Sequence, residues 1–274
     1  LAIQELPFTF LLQVVISGRN LYSSPHKKAF SAHRMKVTLA ILALNELDGL
    51  KAIMPKIDPA WVDQIIMLDG NSTDGSIEWY QEQGYEYYVQ KKKGIRHAWD
   101  EVYDKIKGEV LITFSPDGNS VPELLPPLIE KMKEGYDMVI VSRYKDEAVS
   151  EDDDIITAFG NWCFTNLVNV LFGSKYTDVM VMYRAYKTKL IFDLDLDKDY
   201  TYEFPERLFH TKISWEPLLS ARAARLKLKI GEIPGDEPAR IGGERKLQII
   251  RWGSAYLYQI IRERFVRHKF GLEP

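Results

Sequence analysis

The chain has 274 residues, 46% of them hydrophobic, with 36 lysines and arginines against 39 acids and a formal net charge of −3. That is enough apolar chain for one large core, as a single domain or a domain with an appendage. A slightly acidic balance gives no global attraction for nucleic acid, so none is expected as a partner. The single cysteine, Cys163, excludes an internal disulfide and fits a reducing compartment.

Residues 1–34 open with a short apolar run, Leu6 to Ile16, that lacks preceding basic residues and a small-residue cleavage site; secretion is not expected. They read as an N-terminal extension outside the folded unit. No stretch approaches the roughly 20 apolar residues of a membrane-crossing helix, so an integral protein is not expected.

From Lys36 the pattern alternates strand and helix. Val37 to Leu44 is a near-continuous apolar run, the mark of a strand buried on both faces, and Glu46 to Met54 is a helix closed by Pro55. Ile65 to Leu68 lies in a second strand. Asp74 caps a helix that ends at Gly84, and Tyr85 to Val89 is a third strand. A helix from Ile95 to Ile106, a strand Val110 to Phe114, a helix from Pro122 to Gly135 and a strand Asp137 to Val141 follow. Such β-α units with short connections build a parallel sheet with helices on both faces.

After Arg143 an acidic stretch, Glu151 to Asp154, leads as a solvated loop into a long helix, Ile155 to Phe172, whose apolar pattern makes Cys163 a buried core thiol rather than a nucleophile. Val179 to Tyr186 reads as a strand, Trp215 to Leu228 as a helix, and Lys229 to Ile233 as a last strand halted by Pro234. The closing segment, 239–274, joins a basic glycine-containing loop to an amphipathic helix with interleaved arginines and aromatics. Its apolar side fits an anionic bilayer surface as well as it fits the sheet or a second subunit.

Two strands run straight into acidic loops, at Asp69 and at Ser115-Pro-Asp117-Gly-Asn. Ligands of open α/β sheets bind outside the carboxyl ends of the strands, so Asp69 and Asp117 are expected to face one cleft, suited to a metal-bound nucleotide. A dinucleotide oxidoreductase would need Gly-x-Gly-x-x-Gly after the first strand, where Leu44-Asn-Glu-Leu-Asp-Gly stands instead.

These residues carry a family resemblance. Asn45-Glu46, Asp69-Gly-Asn-Ser-Thr-Asp74-Gly, Ser115-Pro-Asp117, Ser142-Arg-Tyr144, Thr177-Asp178 with Tyr183-Arg-Ala-Tyr186, Glu232-Ile-Pro234 and Arg240-Ile-Gly-Gly-Glu-Arg-Lys246 stand in the order found in family 2 glycosyltransferases. Within that family the chain resembles the dolichyl- or polyprenyl-phosphate sugar transferases. The resemblance implies a GT-A fold over residues 35–238, a nucleotide-diphosphate sugar as donor and inversion at the anomeric carbon. It also implies Mg2+ or Mn2+ held by Asp117, with Ser115 where the family has its first acid.

By the same resemblance Asn45, Glu46, Asp69, Arg96 and Asp117 bind the sugar nucleotide, and Arg143, Arg240 and Lys246 hold phosphates in the way guanidinium forks do. Asp178 is the preferred base or acceptor-orienting residue, with Glu216 beside it. A lipid phosphate is already anionic and needs no base, whereas a glycan or other hydroxyl acceptor does. The helix 155–169 lacks an arginine common in the family. The expected location is the cytoplasm, at the cytoplasmic face of the membrane if the terminal helix rests there. A non-catalytic nucleotide-binding module is the alternative of another class.

Overall fold

The computed structural model describes residues 34–242, 248–266 and 270. The unit beginning at Met35 is built on a sheet of seven strands: β1 (Val37–Ala43), β2 (Gln64–Asp69), β3 (Glu86–Val89), β4 (Val110–Phe114), β5 (Met138–Ser142), β6 (Arg184–Lys187) and β7 (Ile230–Pro234). Their order across the sheet is β3-β2-β1-β4-β6-β5-β7. Every residue of β1 is buried. Alternation along it explains why: Ala40 and Leu42 enter one core, Leu39 and Ile41 the other.

The core containing Leu39 is closed by α1 (Leu47–Ile53), α2 (Ser76–Gln83) and α4 (Leu125–Lys133), through Leu50, Tyr80 and Leu128. The other is closed by α3 (Ile95–Val102), α5 (Ile155–Phe172), α8 (Glu216–Arg225) and α9 (Ile249–Phe265), through Trp99, Val168, Leu218 and Ile260. Two short helices, α6 (Leu190–Asp193) and α7 (Glu203–Phe209), occupy a stretch without a clear sequence pattern. The mostly parallel α/β architecture with helices on both faces agrees with the sequence reading.

Two expectations need correction. The strand expected over 179–186 begins only at Arg184, because the preceding turn is held off the ladder: Met180 N and Val181 N donate to Asp178 Oδ1 at 3.2 Å, and Arg184 Nε donates to Val181 O at 2.9 Å. That turn sits at the end where β5 finishes, so β6 enters from there and runs antiparallel to both β4 and β5.

The second concerns α5. It is capped by Asp154, whose side chain accepts from Ile156 N and Thr157 N, and it closes on Gly173. It contains no charged residue, and its 18 residues have a mean hydropathy of 1.4, long and apolar enough to cross a membrane by length and composition. Here Asn161, Thr165, Val168 and Phe172 face inward while Ile155, Phe159, Trp162 and Val170 are exposed. Cys163 is half-buried, outside the closed core.

Candidate active site

The carboxyl ends of β1, β2 and β4 open into a cavity of about 1080 Å³, lined by Leu44, Glu46, Gly70, Gln90, Ser115, Asp117 and Arg240 among others. The Pro116-Asp117-Gly118 turn forms one wall. Asn119 N donates back to Asp117 Oδ1 at 3.1 Å, and Gly118 adopts φ +95°, where a Cβ would also strike Ile241 at 2.7 Å. On its other side Gly49 of α1 lies so close that a Cβ would stand 2.3 Å from Pro116 O. Asp117 is thus fixed from both flanks.

The segment after β7 folds over this turn. Asn119 Nδ2 donates to Pro238 O at 2.8 Å, and Ile241 N donates to Asp117 O at 2.7 Å. Arg240 is delivered between two acids: its Nη2 lies 2.8 Å from Asp117 Oδ2 and its Nη1 3.3 Å from Glu46 Oε1. Three residues far apart in sequence, Glu46, Asp117 and Arg240, therefore meet at one cavity.

Asn45 and Asp69 act one layer back. Asn45, at φ 54°, receives Thr73 N on its Oδ1 at 2.7 Å and donates its own N–H to Ser72 Oγ, stitching the loops after β1 and β2. Asp69 is fully buried and does not line the cavity. Its carboxylate accepts from Ser72 N at 2.6 Å, Ser72 Oγ at 2.8 Å and Tyr80 Oη at 3.0 Å, so here it holds the loop after β2. Asp74 accepts from Ser76 N and from Leu47 N, joining the starts of α2 and α1.

Arg143 and Asp178, expected as phosphate clamp and base, are bound to each other. Arg143 Nε lies 2.7 Å and Nη2 3.2 Å from the two carboxylate oxygens, and Nη1 also meets Glu237 at 3.1 Å and Asp153 at 3.3 Å. Burial works against the guanidinium charge, but Asp178 first, then Glu237 and Asp153, keep Arg143 protonated well above the ordinary arginine value. Burial pushes the Glu237 carboxyl up against the pull of Arg143, and pushes Glu232 up against the bonds it accepts from Thr177. Arg143 touches a side pocket of about 170 Å³ shared with Asp117. Asp178 is fully buried and lines neither space.

Glu216 is also enclosed. It starts α8 at 3% exposure, its Oε1 finds no hydrogen-bond partner among the described residues, and it is absent from the cavity wall. Its backbone carbonyl receives Arg184 Nη1 at 3.2 Å. Arg184 also donates to Ser220 Oγ at 2.8 Å and to Val179 O, so this fully buried side chain fastens the 178–183 turn to α8. Burial lowers its affinity for the proton.

Arg96 does line the cavity, yet it is 2% exposed and spoken for by Asp199 at 2.6 Å, Asp100 at 3.1 Å and the Tyr202 ring at 4.5 Å. Beside it His97 is held below the usual imidazole value by burial, then by Arg96 and Lys212. Arg96 Nη2 faces His97 Nε2 at 3.4 Å and Asp100 lies 3.5 Å from Nδ1, an arrangement suited to a neutral ring. His97, Asp100 and Asp199 form a potential ligand triplet, but the Arg96 guanidinium already supplies its positive charge. Lys246 lies outside the described residues.

The sequence reading had no motif for the far end of the cavity. Glu203, Glu206, Arg207, His210 and Lys212, from α7 and the turn after it, line that end with Trp252 and Tyr256 of α9. Only the two aromatics had a signal, in the interleaved pattern of the last helix.

Comparison with known proteins gives the family. The glycosyl transferase family 2 model matches residues 50–192. The chain belongs to glycosyl transferase family 2. An undecaprenyl-phosphate mannosyltransferase from Micrococcus luteus is 24% identical over 84% of this chain and 99% of its own length. A dolichol-phosphate mannosyltransferase from Pyrococcus furiosus is 33% identical over 40% of this chain, and this chain spans only 34% of that protein. An undecaprenyl-phosphate 4-deoxy-4-formamido-L-arabinose transferase from Klebsiella pneumoniae is 25% identical over 79% of this chain and 64% of its own. Among solved structures, glucosyl-3-phosphoglycerate synthase from Mycobacterium tuberculosis, in complex with Mn2+ and UDP, superposes with a TM-score of 0.57 at 16% identity, covering 86% of this chain and 82% of that one.

For a family 2 chain the fit to a divalent cation can be judged from the donor set. Glu46 and Asp117 are both nearly buried, and both turn to one guanidinium, so the place already selects positive charge. One or two carboxylates completed by phosphate oxygens and water suit Mg2+ or Mn2+. Ser115, on the same wall, offers a hydroxyl where the family has an acid.

Proposed function

We propose that this chain moves a sugar, with inversion, from a nucleotide-diphosphate sugar to a polyprenyl-phosphate acceptor, with Mg2+ or Mn2+ at Asp117. The observation that carries the reading is the Glu46–Arg240–Asp117 cluster at the carboxyl ends of the strands, in a cavity large enough for a sugar nucleotide and an acceptor head. A bound cation would neutralise charge on the departing diphosphate. Asp117 and Glu46 would hold it, and Arg240 would meet the phosphates in a bidentate fork.

The state of the expected bases supports a phosphate acceptor. Asp178 is locked to Arg143 and Glu216 is walled off, so neither is placed to take a proton from a hydroxyl. An acceptor phosphate is already anionic near neutral pH and has no need of one. The second reading, transfer to a glycan or other hydroxyl, is favoured by Glu203, an exposed carboxylate on the cavity wall.

A lipid acceptor also suits the surface around the cavity mouth. Gln248 lines both the cavity and an apolar cleft of about 540 Å³ formed by Ile156, Ile249, Ile250 and Arg251. With exposed Phe159 and Trp162 of α5 nearby in the sequence, this composition fits peripheral contact with an anionic membrane at its cytoplasmic face. A second subunit is the competing occupant.

The experiment is a screen of UDP-, GDP- and dTDP-sugars for Mn2+-dependent nucleotide release, followed by transfer from the active donor to undecaprenyl phosphate in detergent. Transfer to added sugars but not to the lipid phosphate would establish the second reading.

A further inference from the structure

We infer that Arg240 is a built-in counter-ion that occupies the cation's place on Asp117 until a diphosphate arrives, so that the metal and the diphosphate bind together and the metal alone binds weakly. This rests on the metal assignment proposed above and adds an order of events to it.

Glu46 and Asp117 are 7% and 5% exposed. Two carboxylates so close to burial need a compensating cation whether or not a metal is bound. Arg240 supplies it, spanning them at 2.8 and 3.3 Å. A divalent ion on Asp117 would compete with Arg240 Nη2 for the carboxylate, 2.8 Å away at Oδ2, and would set two cations side by side in a near-buried space. Metal entry therefore exposes the guanidinium to repulsion and costs it a partner.

A diphosphate removes that cost. It brings oxygens that accept the guanidinium fork and negative charge that offsets the second cation. Arg240 can then leave Asp117 without losing all its bonds. The backbone allows a local turn of this kind: Gly118 at φ +95° packs against Ile241, Gly242 follows at φ +70°, and Ile241 N holds to Asp117 O at 2.7 Å. The peptide stays docked while the side chain changes partner. Arg240 itself is 21% exposed and its Nε has no hydrogen-bond partner among the described residues, so one further acceptor can be taken up at that nitrogen.

The test is Mn2+ binding to the whole chain, read from the electron paramagnetic resonance signal of the free ion, with and without inorganic pyrophosphate as a base-free probe, each at matched free Mn2+ against the same solution without protein, because pyrophosphate itself binds the ion. Wild type is expected to bind Mn2+ weakly alone and at least about tenfold more tightly with pyrophosphate. Arg240→Gln should tighten binding of Mn2+ alone by about tenfold and shrink the pyrophosphate effect, while Arg240→Lys, which keeps the charge but not the fork, should leave binding of Mn2+ alone near wild type and also shrink the pyrophosphate effect. Circular dichroism melts establish that each variant is folded; should Arg240→Gln fail to fold, the wild-type comparison with and without pyrophosphate decides. Equal Mn2+ affinity in those two conditions, or a folded Arg240→Gln that binds Mn2+ no better alone, overturns the inference. Asp117→Asn separates the two ideas: if it binds Mn2+ as wild type does, the metal assignment itself is wrong, whereas its loss together with an unchanged Arg240→Gln defeats only the counter-ion role.

Discussion

Arg143 and Asp178 form one bidentate ion pair, with Nε 2.7 Å and Nη2 3.2 Å from the two carboxylate oxygens, inside a cluster that also contains Asp153 and Glu237. Two residues that the family pattern assigns to separate tasks thus hold each other. Asp178→Asn is expected to lower the unfolding free energy by about 3 kcal/mol, since it strips a buried arginine of its best partner. Urea denaturation checks this. A variant with wild-type stability and no transfer would return Asp178 to catalysis.

Asp69 supports a comparable prediction in the loop after β2. Tyr80→Phe removes one of its hydrogen bonds and should cost about 1 kcal/mol, whereas Asp69→Asn disturbs all of them and should cost about 2 to 3 kcal/mol. In the double variant the two effects should not add, because both act on one network. Unchanged stability of Asp69→Asn, coupled to weaker nucleotide binding, would contradict the buried role.

His97 provides a pH test. Burial, Arg96 and Lys212 all lower its proton affinity in the folded protein. Its contribution to stability is therefore present above the ordinary value of 6.5 and is lost as pH falls through the lower folded value. An NMR titration of the ring should show a midpoint below 6.5, and Lys212→Met should move it upward. A midpoint at or above 6.5 in wild type would overturn the electrostatic picture of this wall.

The α5 surface predicts a separable phenotype. Phe159 and Trp162 stack at 5.9 Å while both stay exposed, so the pair adds little to the core. Trp162→Glu should leave the melting temperature within a few degrees of wild type, as surface changes usually stay within about 0.5 kcal/mol. It should reduce sedimentation with vesicles containing anionic lipid. Unaltered vesicle binding would remove α5 from the membrane reading.

The centre of the sheet was legible because strands buried on both faces write themselves as apolar runs, as in Val37–Ala43 and Val110–Phe114. The start of β6 was not, since Asp178 and Arg184 hold residues 179–183 in a turn through contacts the local pattern does not encode. Motif order singled out Glu46, Asp117 and Arg240, and the structure lines one cavity with all three. Burial keeps Asp69, Asp178 and Glu216 off the cavity wall, and a loop acid in a sequence looks the same whether it faces a ligand or a tyrosine. The cavity end at Glu206 and Lys212 was silent because those residues come together through α7, a helix with no apolar period long enough to read.

The most direct test of the account is nucleotide release from the active sugar donor, compared between wild type and Asp117→Asn with and without Mn2+. Wild type should release nucleotide in a Mn2+-dependent way, and the variant should lose about 100-fold or more, the scale of removing one stabiliser of developing charge. Full-speed release by Asp117→Asn, with the same dependence on Mn2+, would contradict it.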